Sequence, residues 1–100
     1  MSQAVFIIAH VEVKNIKRYI QEYALPFKPI LEKYEGEALA GTTKAEILEG
    51  EKYGDWTVLL KFPSRELAYA CIHSKEYAPL AHLRISELSS GANVIMIPAN

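Results

Sequence analysis

Phe62-Pro63-Ser64-Arg65-Glu66, then Ser74-Lys75-Glu76-Tyr77, then Arg84, form the most informative run in these 100 residues. Trp56 to Phe62 reads as a strong strand, rich in β-branched and aromatic residues. Pro63 lacks the N–H that a ladder needs and stops it. Ser64 is a preferred N-cap, and Glu66 falls in the first helical turn, where the positive end of the helix dipole favours a carboxylate. Leu67, Ala70 and Cys71 give the helix an inner face. Pro79 cannot sit in the middle of an unbroken helix, so a kink or restart is expected at Ser74 to Tyr77. Beyond it Tyr77, Ala81, Arg84 and Leu88 share one face. Val94 to Ile97 is the last expected strand, ended by Pro98.

Upstream, Val5 to Val13 alternates cleanly. Val5, Ile7, Ala9, Val11 and Val13 make one face; Phe6, Ile8, His10 and Glu12 make the other. Both faces begin apolar, which predicts a central strand. Asn15 is a good N-cap, and Ile16, Tyr19, Ile20 and Tyr23 follow helical spacing, with Lys17, Arg18 and Glu22 pointing away. Pro26 and Pro29 are expected to break and restart this helix. Phe27, Ile30, Leu31 and Tyr34 continue the stripe, and Gly36 is expected to end it. Glu37 to Leu48 reads as a weaker strand with a bulge or close approach at Gly41, and Gly50 to Asp55 as a polar turn.

The order β-α-β-β-α-β, with right-handed crossovers, predicts an α+β ferredoxin-like fold: one four-stranded antiparallel sheet with both helices on one face. The other face would be bare and apolar, so a homodimer packed sheet to sheet is expected. Residues 1–100 are read as a single domain. Half of the residues are hydrophobic and the net charge is −1, with no basic cluster to suggest nucleic acid. Met1-Ser2-Gln3-Ala4 has no basic n-region, and His10 and Glu12 interrupt the apolar run after it. It reads as a strand rather than a signal peptide or membrane span. The single Cys71 cannot form an intramolecular disulfide and fits a reducing, cytoplasmic setting.

Taken together, the strand end Val11-Glu12-Val13, Tyr19, the Glu46-Ile47-Leu48-Glu49-Gly50 segment and the Phe62-to-Arg84 run resemble the DUF1330 family of the dimeric α+β barrel superfamily, over nearly the full length. That resemblance implies a homodimer of ferredoxin-like protomers with no established activity. The wider superfamily holds cofactor-free monooxygenases, isomerases, haem-using enzymes and plain binding domains, so fold alone does not choose a function. The chain departs from the family pattern twice. It has Gly41-Thr42-Thr43 where the family tends to have Arg-Gly-Gly, and His10 where an Asp is frequent.

His10 is the candidate catalytic residue, a general base on a central strand; the plainer reading is a strand-end histidine bonded to a neighbour. Arg84 is the candidate ligand clamp, because a guanidinium on an apolar face needs an anion or a path to water; the plainer reading is an ion pair with Glu46, Glu66 or Glu76, or simple snorkelling. Tyr19 and Tyr23, one turn apart, offer phenol donors to a ligand or are core residues. Trp56 opens the third strand and could floor an aromatic pocket or anchor the dimer; it or its strand neighbours are assigned to the dimer interface, where Trp is enriched. His73 and His82 lack metal spacing, and no phosphate loop, dinucleotide fingerprint or nucleophile elbow is present, so no metal or cofactor is expected.

Two functions follow. The first is binding or transforming a small organic molecule, a carboxylate among the options, in a pocket between sheet and helices. The second is a non-catalytic dimeric interaction or regulatory module. The expected pocket unites His10, Arg84 and Tyr19 or Tyr23. If instead the Val/Ile face packs on the helices, His10 points between subunits.

Overall fold

The computed structural model describes residues 3–51 and 54–99. Strand β1 (Val5–Val13) leads into helix α1 (Ile16–Tyr19), which continues through a π-helical turn (Ile20–Ala24) into α2 (Leu25–Lys33). Strands β2 (Glu37–Thr42) and β3 (Trp56–Phe62) follow. Then come α3 (Arg65–Ile72), α4 (Ala78–Leu83), a second π turn (Arg84–Leu88) and β4 (Ser89–Pro98). The sheet order is β2-β3-β1-β4, and every neighbouring pair is antiparallel. This is the ferredoxin-like βαββαβ fold.

Register explains which face is covered. Val5, Ile7, Ala9 and Val11 of β1 are buried, and lie opposite Phe62, Leu60, Val58 and Trp56 of β3. This face carries the helices. Phe62 and Leu31 join Val5, Ile7 and Ala68 in one core cluster; Tyr19, Tyr23, Tyr77 and Leu88 join Ala9 and Val11 in another. The Cα extents of 38 × 33 × 17 Å match one helix layer on one sheet. The second sheet face, with Phe6, Ile8, Leu59, Ile95 and Ile97, has no helix over it among the described residues; Ile95 is 49% exposed and Ile97 38%.

The predicted caps are in place. Asn15 Oδ1 accepts from the Arg18 N–H at 3.0 Å, and Ser64 Oγ accepts from the Leu67 N–H at 3.1 Å. The expected break at Ser74 to Tyr77 is also present. The Ser74 hydroxyl donates to the Cys71 carbonyl at 2.8 Å and accepts from the Tyr77 N–H at 3.1 Å, joining the end of α3 to the turn before α4.

Four boundary expectations are corrected. Pro26 and Pro29 do not break the helix: Pro26 lies in the first turn of α2, where the wider π turn just upstream accommodates the missing N–H and the ring, and Pro29 sits inside the helix at its middle. The residue that ends α2 in the left-handed region is Glu35 (φ 63°), not Gly36. Gly36 is needed for space, since a Cβ there would meet Leu31 and lie 2.7 Å from Phe62 Cε1. Strand β2 stops at Thr42 rather than Leu48, because the Thr42 hydroxyl accepts from the Lys44 N–H at 2.9 Å and turns the chain. Strand β4 begins at Ser89, five residues earlier than read, pairing with Val13 across a register shift.

Gly41 is a close approach, and the bulge falls beside it, between Ala38 and Ala40. Of the expected Gly50–Asp55 turn, Lys52 and Tyr53 lie outside the described residues. Asp55 ends it by pairing with β1: its Oδ1 accepts from the Val13 N–H at 2.8 Å, and its own N–H donates to the Val11 carbonyl at 3.1 Å.

Candidate functional site

A cavity of about 750 Å³ lies between the sheet and the helices. Its floor is β1 and β3: Ala9, Val11, Trp56 and Val58. Its helical wall is Tyr19, Tyr23, Phe27, Tyr77 and Arg84. Lys28 and Glu32 of α2, with Ala38, Ala40 and Gly41 of β2, also line it and are exposed, which makes this side its rim. The volume is in the range of small-molecule sites, which are mostly apolar with a few placed polar groups.

Aromatic rings make up most of the wall. Tyr19 and Tyr23 stand one helical turn apart with ring centroids at 5.0 Å, and Tyr19 meets Trp56 at 6.0 Å. Tyr23 stacks on Phe27 at 5.8 Å, and Phe27 meets Tyr77 at 5.2 Å. Gly41 leaves room for the Trp56 ring over β2: a Cβ there would sit 3.2 Å from its Cζ2 and press the ring aside.

The polar groups come from the two helical runs. The Tyr23 and Tyr77 hydroxyls are hydrogen-bonded at 2.5 Å, one donating to the other. The Arg84 guanidinium carbon lies 5.9 Å from the Tyr23 ring centroid, a cation–π distance. Outside the cavity, Arg18 holds the same two runs together, donating to Glu22 at 2.8 Å and to Glu87 at 2.9 Å. Both π turns contribute here: Tyr23 sits in the first, and Arg84 opens the second.

Burial raises the Tyr19 and Tyr23 hydroxyls above the ordinary phenol range, against an opposing pull from Arg84. Both therefore stay protonated donors at neutral pH. Burial works to lower the Arg84 guanidinium, but the facing Tyr23, Tyr77 and Tyr19 outweigh it and leave its proton affinity raised. Cys71, at the far end of the cavity, is pushed up to about 11 by burial, which makes its thiol inert.

The structure brings together Tyr19, Tyr23 and Arg84, and separates His10 from them. The expectation of one pocket holding His10 and Arg84 is corrected. Alternation along β1 puts Ala9 and Val11 toward the helices and His10 on the uncovered face, where its Nδ1 lies 3.2 Å from Thr57 Oγ1. His10 lines a separate, smaller hollow of about 270 Å³ with Glu46, Glu49 and Asp55. Of the two partners read for Arg84, a Glu of this chain or a bound anion, the first is absent among the described residues. Glu76 is taken by Lys33, Glu46 lies in the hollow across the sheet, and no carboxylate among the described residues pairs with Arg84. The assignment of Trp56 to a sheet-to-sheet interface is corrected by the same alternation: its ring faces the cavity, and its neighbours Thr57 and Leu59 face the other way. Tyr77 was missed as a site residue. The signal was its seven-residue spacing from Arg84, which put both on one helical face. Among the described residues no group of His, Cys, Asp and Glu is arranged to hold a metal ion, and no helix is long and apolar enough to cross a membrane.

Residues 4–99 match the model of a domain of unknown function, DUF1330. No curated protein matches the chain. Among solved structures, it resembles a protein of unknown function from Rhodopseudomonas palustris, with TM-score 0.79 and 13% identity over 97% of this chain and 82% of that one. It also resembles a candidate antibiotic biosynthesis monooxygenase from Nitrosomonas europaea, with TM-score 0.71 and 8% identity over 98% and 91%. A third is a dimeric protein of unknown function with a ferredoxin-like fold from Bacteroides fragilis, with TM-score 0.57 and 10% identity over 95% of each chain. At these identities the likeness is one of fold.

Proposed function

The chain belongs to the DUF1330 family, and from that premise we propose that it binds a small organic anion, with a carboxylate as the simplest case, in the cavity between helices and sheet. The observation that carries this reading is Arg84: a half-buried guanidinium at an aromatic cavity, paired with no carboxylate among the described residues. A cation in such surroundings is stabilised by an anion that enters with an apolar body. The ring wall from Trp56 to Phe27 suits a flat or branched hydrophobic body. Binding is favoured over proton-transfer chemistry, because among the described residues the only carboxylates lining the cavity, Glu32 and Glu37, are exposed at its edge. Native mass spectrometry of the protein taken directly from cells tests the reading. A co-purified organic acid that dissociates on Arg84→Met supports it; wild-type protein that stays empty with every small organic acid offered rejects it.

A second reading concerns assembly. The uncovered face with Phe6, Ile8, Leu59, Ile95 and Ile97 favours a homodimer, built as a dimeric α+β barrel from two single-domain protomers. In such a dimer His10 faces the partner subunit rather than the cavity, and any catalytic role it has belongs to the space between protomers. The lone, buried Cys71 fits a cytoplasmic protein.

A further inference from the structure

The cavity's hydrogen-bond inventory is one-sided. Tyr19 is only 2% exposed, and its hydroxyl has no hydrogen-bond partner among the described residues, yet it is not sealed away from open space. Tyr23 and Tyr77 own two O–H protons between them, and their mutual bond uses one. The second proton has no acceptor among the described residues. Arg84 beside them has only N–H groups and cannot accept. The inner cavity thus offers a phenol O–H from Tyr19, a phenol O–H from the Tyr23–Tyr77 pair and a guanidinium. One guanidinium N–H is directed at the Tyr77 hydroxyl oxygen; beyond the phenol oxygens themselves, no acceptor side chain among the described residues pairs with these donors.

We infer that this donor cluster is an oxyanion site that captures enols and phenols as their enolate or phenolate anions, with the ligand's ring or chain lying against Trp56. The inference rests on the reading of the cavity as a ligand site and narrows the ligand's chemistry. An oxygen that gains full negative charge strengthens each of these hydrogen bonds, and in a water-poor aromatic pocket the gain is larger than in water. The ligand's proton leaves to solvent. No lining residue near the donors can take it, because His10 is across the sheet and Cys71 holds a thiol proton too tightly to act as a base. The protein therefore stabilises the anion and makes or breaks no covalent bond in doing so.

The probe is 4-nitrophenol, whose anion and neutral form absorb at different wavelengths, titrated with pH in the presence of saturating protein. Bound 4-nitrophenol is expected to ionise at least one pH unit below the free compound, a preference of about tenfold or more for the anion. Arg84→Met is expected to abolish that shift, and Tyr19→Phe to reduce it about threefold; Arg84→Lys, which keeps the charge, retains part of it. Circular dichroism confirms that each variant is folded. An unshifted or raised ionisation point overturns the inference, and so does failure of 4-nitrophenol to bind. Benzoate in the same assay separates the two claims: if benzoate binds through Arg84 while 4-nitrophenol does not ionise early, the broader reading stands and the oxyanion site falls.

Discussion

Tyr23 and Tyr77, 54 residues apart in the chain, bring their hydroxyls to 2.5 Å and tie the first helical run to the turn that starts the second. The bond lies inside, where the two elements meet through rings, while Arg18–Glu87 and Lys33–Glu76 link them at the surface. It also fixes the phenols beside Arg84. One backbone feature at each end makes it: the π turn that carries Tyr23, and the Ser74 hydroxyl that accepts from the Tyr77 N–H.

Removing one hydroxyl leaves the other buried and unpaired. Tyr77→Phe is predicted to lower stability by about 1–2 kcal/mol in urea denaturation, as is Tyr23→Phe. The double variant is predicted to lose clearly less than the sum, since its two rings share an apolar contact with nothing left unsatisfied. Strict additivity would show that the bond contributes nothing.

Glycine positions separate strain from crowding. Gly54 has φ +70°, and a Cβ there would lie 2.8 Å from the Val11 carbonyl carbon and oxygen; Gly50 has φ +93° but open space around it. Gly54→Ala is predicted to cost about 2–3 kcal/mol or more and Gly50→Ala about 1 kcal/mol. Thermal melts check this, and equal losses would contradict it.

The raised phenols set an alkaline limit. In the unfolded chain a tyrosine ionises near about pH 10. Above that, the native state keeps the protons of Tyr19 and Tyr23 while the unfolded state releases them. Their contribution is fully present below pH 10 and is lost as pH rises past it. Urea midpoints taken on both sides of pH 10 are predicted to fall less steeply in Tyr19→Phe than in the wild type. Parallel slopes would contradict the assignment.

The uncovered sheet face predicts an assembly result. Ile95→Glu places a charge in the middle of that face and is predicted to halve the mass seen by light scattering while leaving circular dichroism unchanged. A wild-type protein that is already monomeric at micromolar concentration contradicts the dimer.

The sequence made the element order legible because its punctuation is chemical: Asn15 and Ser64 have the side chains that caps require, and Pro63 and Pro79 lack the N–H that strand and helix interiors require. Tyr19, Tyr23 and Arg84 were legible as one site because helical spacing puts each on an inner face. The π turns were not legible, since a widened turn has no residue signature of its own, and Pro26 looked like a stop instead of a residue the turn absorbs. The face of His10 was open for a different reason. Both faces of β1 start with large apolar residues, so alternation alone left two choices, and only the pairing of Ala9 with Val58 and of Val11 with Trp56 under the helices decides between them. Of the two readings of Trp56, pocket floor and dimer anchor, the second was preferred because enrichment at interfaces outweighed register.

The account's central claim is that Arg84 makes the aromatic cavity an anion site, and Trp56, the only tryptophan in the chain and part of the cavity wall, reports on it directly. The decisive measurement is a tryptophan-fluorescence titration of wild type and Arg84→Met with benzoate and with its uncharged amide. The account predicts a saturable change with benzoate in the wild type, weakened at least about tenfold in Arg84→Met, and no such charge preference in the variant. Equal response of both proteins to benzoate, or a wild type that binds the amide as well as the acid, would contradict it.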